Sequence, residues 1–541
     1  MRIRVRTTRA TTTSGAVASL CVAILLLAAC GSGRTDNGAS GANGAKPLVV
    51  GTTDKVTSLD PAGAYDNGSF ALMNQSYQFL MNFAPGSSDL KPDAAQSCEF
   101  SKPTVYTCTI KSGLKFADGH PLTAKSAAFS LNRVLKINDP NGPASLLGNL
   151  DNAAAASDTV VNFTLKQPND QTFPQILATN AGPIVDEQVF PADKVMDDNA
   201  IVDAKAFSGP YTITSYTKNQ LVNFKADPDY NGALGKPKTA DVSLRYYASS
   251  DNLKLDVQQN SIDVAYRSLT PTDVDSLEKS NNVTVHHGPG GELRYIVFNL
   301  NTMPGNTPEQ KLAVRKAMAS SVDRDALANS VYKGTYSPAY SAVPSTVKGS
   351  TPAFKDTYGA KPDKAEATKF LTDAGVTTPV TVDIQYAPDH YGSTSGEEYA
   401  AIKSQLESTG LFKVNLQSTE YTTYSKQRVK DAYPVYQLGW FPDFPDADNY
   451  LTPFFGKDNF LQSHFDNPGV QAQLSAEATE PDAAKRTALI KQIQTEIATQ
   501  YLPILPLLEG TQVVVAGKNV NGVDETLDAS FKFRFGTLTK S

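Results

Sequence analysis

The chain is poor in the side chains that hold metals or run redox chemistry. Of 541 residues, four are cysteine, five histidine and one tryptophan. His120, His286, His287, His390 and His464 fall at no recognised ligand spacing with Cys or Glu, so no metal site and no cofactor are expected. A Gly-x-Ser-x-Gly elbow, a His-Glu-x-x-His pair and a Gly-x-x-x-x-Gly-Lys-Ser/Thr loop are all missing, which removes the commonest hydrolase and nucleotide-binding signatures. Basic residues are scattered rather than striped and the formal charge is -6, so a nucleic-acid partner is not expected. With 40% hydrophobic and 19% charged residues and no low-complexity body, the composition is that of a globular protein long enough for more than one core.

What is present begins with an export address. Arg2, Arg4, Arg6 and Arg9 precede an apolar run over residues 16–29 that is short for a membrane span and ends in small residues. The tetrapeptide Leu27-Ala28-Ala29-Cys30 resembles the bacterial lipobox, which implies a signal peptide over 1–29 and lipidation of Cys30 as the membrane anchor. Two or more acyl chains give stable anchoring where one does not. Residues 30–45 are rich in Gly, Ser, Asn and Ala and read as a flexible tether, with a root-mean-square reach on the order of 20 Å. Cys21 leaves with the signal, so the mature body keeps Cys98 and Cys108. The alternation between them and the central Ser-Lys-Pro suggest a hairpin that lets the two sulfurs meet as a disulfide in an exported compartment; two small buried thiols are the alternative. His286 and His287 sit in a strand-like run, where neighbours point to opposite faces.

Along the chain, strand-like runs alternate with helical ones. An apolar run over 48–52 leads to the turn Ser58-Leu59-Asp60-Pro61 and then to the polar residues Tyr65, Asp66 and Asn67. Apolar spacing predicts a helix over 70–83, a strand over 105–110, and a helix from 124 to about 135 capped by Thr123. Further helices are predicted over 309–320, 363–374, 397–409 and 482–499. The pattern is that of mixed α/β lobes.

One stretch concentrates the features of a ligand site. Residues 433–440 form an apolar run ending in Trp440, and the following turn interleaves Phe441 and Phe444 with Asp443, Asp446 and Asp448. A pocket wants an apolar wall with a few placed polar groups. The competing reading is a strand end whose aromatics plug a core while Asp446 and Asp448 face water as turn residues.

The segment Gly113-Leu-Lys-Phe-Ala-Asp-Gly-His-Pro-Leu-Thr-Ala124 resembles the signature of the extracellular solute-binding proteins, family 5, that serve ATP-driven peptide and nickel importers. The family usually continues with Asp-Val, whereas Ser126-Ala127 follow Lys125 here. Landmarks at 208–211, 294–301, 314–324, 439–443 and 485–506 follow in the family's order and extend the resemblance over nearly the whole mature chain.

The resemblance implies a two-lobed periplasmic-binding-protein-like α/β fold with a discontinuous first lobe (46–84, 179–290, 506–541), an inserted domain (85–178) and a second lobe (291–505). It implies a non-enzymatic, monomeric receptor that captures peptide between its lobes and delivers it to the permease subunits of an ABC importer. Asp443 is then expected to hold the ligand's amine, and Gly439 and Phe441 to offer backbone hydrogen bonds beside Trp440. Tyr65, Asp66 and Asn67 are expected at the same cleft. Some oligopeptide binders carry an arginine two places before that glycine, where this chain has Gln437. A metal chelate, an oligosaccharide or a signalling ligand on the same scaffold is the alternative, and a secreted hydrolase the distant one.

Overall fold

The computed structural model describes residues 46–267 and 269–541. The expected signal peptide (1–29), the expected lipid site Cys30 and the expected tether lie outside the described residues. Among the described residues, no helix is long and apolar enough to cross a membrane.

A single eleven-stranded mixed sheet runs through the body. Its order is Phe412–Ser418, Val380–Tyr386, Val435–Trp440, Val283–Phe298, Ile504–Gly517, Val264–Tyr266, Leu48–Thr52, Asp241–Tyr246, Leu221–Ala226 and Tyr211–Thr217, with Tyr336–Pro338 set beside Ile504–Gly517. Two strands tie its halves together. Val283–Phe298 and Ile504–Gly517 pair antiparallel over most of their length, with the register broken between Pro289 and Leu293. Gly290 sits at that break, where a β-carbon would come within 2.1 Å of the Gly510 carbonyl oxygen, so the strands can cross this closely only with glycine.

The central strands are buried on both faces, as an α/β sheet covered by helices requires. Ile296 and Phe298 enter one core with Val382, Ile384 and Leu505, while Tyr295 and Val297 enter another with Tyr436, Leu438 and Phe454. Each such side chain withdrawn from water contributes about 1.5–3 kcal/mol. A separate core with Leu48, Val50, Val264 and Val514 serves the other half of the sheet.

A four-stranded antiparallel sheet (Ala95–Lys102, Val105–Ile110, Val160–Leu165, Leu150–Ala155) carries its own core, which draws on residues from Leu80 to Ile184. Cys98 and Cys108 lie opposite each other in this ladder and are joined as a disulfide. The helix Ala124–Ile137 packs against it, and its N-terminus explains the departure at Ser126. Thr123 Oγ1 accepts from the Lys125 N–H, and Ser126 Oγ accepts from the Thr123 N–H, so serine completes a capping box.

The helices predicted late in the chain form as Pro308–Ala319, Lys364–Asp373, Ser395–Ser408 and Ala483–Glu496. The early one is shorter than its apolar pattern suggested. It runs Asn67–Ser76 and stops at Tyr77, and Met81–Phe83 pairs as a strand with Leu90–Pro92. There the apolar residues are fully buried by tertiary packing, and periodicity does not separate a buried strand from a buried helix.

Candidate functional site

The loop after strand Val435–Trp440 is built from the inside outward. The Trp440 indole packs edge-on against Phe454 and Phe460, with centroids 5.6 and 5.5 Å away, and its Nε1–H donates to Asn449 Oδ1 at 3.3 Å. Asn449 Oδ1 also accepts from the Asp443 N–H (2.9 Å), and Asn449 Nδ2 donates to Asp443 Oδ2 (3.2 Å). Phe444 is buried in the core of the four-stranded sheet. One end of the loop is therefore pinned to the large sheet and the other to the small one.

Asp446 and Asp448 are buried, contrary to the expectation of solvated turn residues. Arg486 clamps Asp446 through two 2.8 Å hydrogen bonds, Gln175 Nε2 adds a third at 2.9 Å, and Asp448 accepts from the Thr452 hydroxyl. Short side chains in a proline-rich turn look solvated in sequence, and the cation that draws them inward lies forty residues on. Glu477 lies against the same cluster. Burial, then the charge of Asp448, pushes its carboxyl up to about 10, against the pull of Arg486, whose Nε donates to Glu477 Oε2 at 3.0 Å. A raised carboxyl pKa favours the fold below the unfolded value, and that contribution drains away as pH climbs toward the folded one. Glu477→Gln removes this titration, so its melting temperature should gain on the wild type between about pH 5 and about pH 9 in thermal unfolding.

Asp443 is partly exposed, and the Tyr65 hydroxyl, 378 residues away in sequence, donates to its Oδ1 at 2.5 Å. Among the described residues no Lys, Arg or His nitrogen lies within 4.0 Å of this carboxylate. Crowding raises its pKa, and the hydrogen bonds from Tyr65 and Asn449 oppose that rise. Tyr65 is 41% exposed.

The other sequence candidates divide. Phe441 lines a cavity of about 580 Å³ beside the crossing strands. Gly439 lies under the Tyr391 ring, where a β-carbon would meet Cε1 at 2.8 Å, so glycine is what lets that ring lie flat on the strand. Trp440 is turned into the core and does not line this cavity. Gln437 is buried and already committed, accepting from the Ala387 N–H (3.0 Å) and donating to Ser395 Oγ (3.2 Å). Asp66 is spent capping the helix through Ser69 N and Oγ, both at 2.8 Å, and Asn67 is exposed at the helix start.

Several cavity residues were not anticipated. Arg294 is 4% exposed; its Nε donates to Glu292 Oε1 at 2.5 Å and its Nη2 to the Tyr336 hydroxyl at 2.8 Å, which in turn donates to Glu292 Oε2 at 2.7 Å. Its guanidinium lies 5.2 Å from the Tyr336 and Tyr391 centroids. The available signal was an arginine inside the apolar run 293–298, which buries only with partners. Arg267 and Phe531, also in the cavity wall, carried no such signal.

Asp118, His120 and Asp186 also converge, with His120 Nδ1 2.6 Å from Asp186 Oδ2 and 3.3 Å from Asp118 Oδ2. Ligand spacing had missed this cluster, because Asp186 is distant in sequence. The hydrogen bond to Asp186 raises the imidazole pKa, so a ring proton shared with the carboxylates accounts for the arrangement. A larger groove of about 880 Å³, lined by Lys115, Lys205, Lys225, Asp227 and Tyr230, shares no residue with the 437–449 stretch.

The model of bacterial extracellular solute-binding proteins, family 5 (middle), matches residues 89–462. The probable D,D-dipeptide-binding periplasmic protein DdpA of Escherichia coli K12 is 27% identical over 511 residues, covering 91% of this chain and 94% of that protein. The glutathione-binding protein GsiB of the same strain is 26% identical over 542 residues, covering 98% and 99%. Among solved structures, the ABC transporter substrate-binding protein CtaP of Listeria monocytogenes superposes with a TM-score of 0.77 at 22% identity, over 92% of this chain and 99% of that one, and so shares the fold. The chain belongs to the bacterial extracellular solute-binding proteins of family 5, the substrate-binding proteins of ABC importers, which bind their cargo rather than transform it.

Proposed function

We propose that the protein captures peptides between its lobes and delivers them to the permease subunits of an ABC importer, as a monomer held to the extracytoplasmic face of the membrane by lipid on Cys30. The observation that carries this reading is Asp443, a crowded carboxylate at the cleft with two neutral hydrogen-bond donors and no cation among the described residues. A primary ammonium fills that deficit with a charge-assisted hydrogen bond. DdpA and GsiB, named for binding a dipeptide and glutathione, support a peptide as the cargo. Trp440 gives no support to a stacked sugar, because its ring is committed to Phe454 and Phe460.

In this reading the first lobe comprises 46–84, 179–290 and 506–541, the second 291–505, and the insert 85–178. A ligand touching both lobes favours the closed arrangement by its differential affinity, and the register break at 289–293 is where the crossing strands bend. Native mass spectrometry of gently isolated protein should release a peptide with a free amine. A bound solute lacking any positive group overturns the reading.

A further inference from the structure

Asp118, Gly119 and His120 form the turn that precedes the helix Ala124–Ile137, closed by a 2.9 Å hydrogen bond from the Phe116 N–H to the His120 carbonyl. Gly119 takes φ of 98° in it, a conformation that glycine permits. Asp186, fully buried, meets this turn from 66 residues further along the chain. Each of the two carboxylates is fixed by its other oxygen. Asp118 Oδ1 accepts from the His120 N–H at 2.9 Å, and Asp186 Oδ1 from the Gln188 N–H at 2.8 Å. Both Oδ2 atoms are thereby left for His120 Nδ1, at 3.3 and 2.6 Å, and the three atoms lie within 4.8 Å of one another. Donors around a tetrahedral ion, each about 2.1 Å from it, stand about 3.4 Å apart, so movements of about an ångström close this set on one ion.

Two carboxylate oxygens here have no hydrogen donor. Asp118 Oδ2 and Glu187 Oε2 are buried without a hydrogen-bond partner, and the Glu187 side chain is only 10% exposed. Among the described residues the one ammonium within 4.0 Å is that of Lys125, at 4.0 Å from Glu187 Oε1 on a well-exposed side chain. The imidazole pKa is raised by the hydrogen bond to Asp186 first and then by the charges of Asp118, Asp186 and Glu187, so three acids bear on one ring. Buried carboxylates are paired with cations or coordinate metals. The ring proton that draws Nδ1 to Asp186 stands where a metal ion would, since both answer the same oxygens and an imidazole gives up that proton to ligate.

The cluster also lies at a seam. Ile184 belongs to the core of the four-stranded sheet with Phe116 and Leu122, whereas Val185 and Phe190 belong to a core of the large sheet. We propose that Asp118 Oδ2, His120 Nδ1 and Asp186 Oδ2 bind one divalent transition-metal ion, with Glu187 adding negative charge, and that the ion staples the turn to the seam between the two cores. One imidazole with carboxylates suits zinc or manganese, whereas calcium takes six to eight oxygens. His120 is 42% exposed, which leaves room for water to complete the coordination. The ligands share no residue with the 437–449 stretch, so the site holds whatever the cargo of the cleft.

The test strips the purified full chain with a chelator, dialyses it against zinc and counts bound metal by mass spectrometry. The wild type should hold about one zinc per chain more than Asp118→Asn or His120→Gln, whose affinity at this site should fall about tenfold or more. Asparagine can still accept from the His120 N–H, so that variant serves if the glutamine one does not fold. Saturating zinc should raise the wild-type melting temperature by a few degrees and slow amide hydrogen exchange over 116–121 and 184–190, and should do neither in the variants. Asp443→Asn should bind zinc as the wild type does, which separates this site from metal taken up in the cleft. Zinc held equally by the wild type and both site variants overturns the proposal, as does a wild type that binds no zinc or prefers calcium to it.

Discussion

Asp60→Ala is expected to destabilise the protein by about 3–5 kcal/mol, the largest loss from any single exchange considered for its stability. Asp60 is fully buried in the turn before Tyr65. Its Oδ1 accepts from Arg133 Nη1 (2.7 Å) and the Ala62 N–H (2.9 Å), and its Oδ2 from Arg133 Nη2 (2.6 Å) and the Met196 N–H (2.7 Å). Arg133, on the helix Ala124–Ile137, also donates to the Pro191 and Lys194 carbonyls and lies 5.3 Å from the Phe190 centroid. Alanine leaves that guanidinium buried without a counter-charge and orphans two backbone N–H groups. The cost arises from the uncompensated charge rather than from the net worth of the pair, so Asp60→Ala combined with Arg133→Met should be less destabilised than Asp60→Ala alone. Urea unfolding of the two variants beside the wild type checks both points. A loss below about 1 kcal/mol for Asp60→Ala would mean that water reaches the arginine.

The turn that Asp60 anchors was readable in sequence as Leu-Asp-Pro, and so was the α/β alternation, because buried strands and sheet-covering helices impose their periods on residue type. What was harder to read is instructive in the stretch 435–440. Trp440 looked like a pocket wall by composition, yet strand alternation places it with Tyr436 and Leu438, and all three pack toward one core. Gln437 falls on the other parity with Gly439, and there its amide meets Ala387 and Ser395, which spacing alone does not bring near. Arg267, Phe441 and Phe531 form one unit from three remote stretches, with no local pattern to announce it. Local periodicity encodes which face of an element is buried; the pairing of exposed faces across a cleft depends on tertiary geometry that no window of sequence contains.

Asp443→Asn is expected to weaken binding of a free-amine peptide about a hundredfold or more in calorimetric titration, the order of cost for removing one member of a hydrogen-bonded charge pair. Asparagine matches aspartate in shape, and its amide oxygen can still accept from Tyr65 or Asn449, so the fold and loop should persist. What is lost is the charge. An N-acetylated peptide, with no ammonium to answer, should bind wild type and variant about equally well. Because crowding raises the Asp443 pKa, wild-type affinity should decline as acid protonates the carboxylate, and the variant should lack that component. Tyr65→Phe separates charge from cover. It removes the hydroxyl that occupies Oδ1 in this structure and leaves the carboxylate in place, so affinity should hold or rise, whereas a tyrosine needed to grip the ligand would make it fall. Undiminished affinity in Asp443→Asn would transfer the amine to an acid that lines the cavity of about 580 Å³, with Glu292 and Asp389 next to be exchanged.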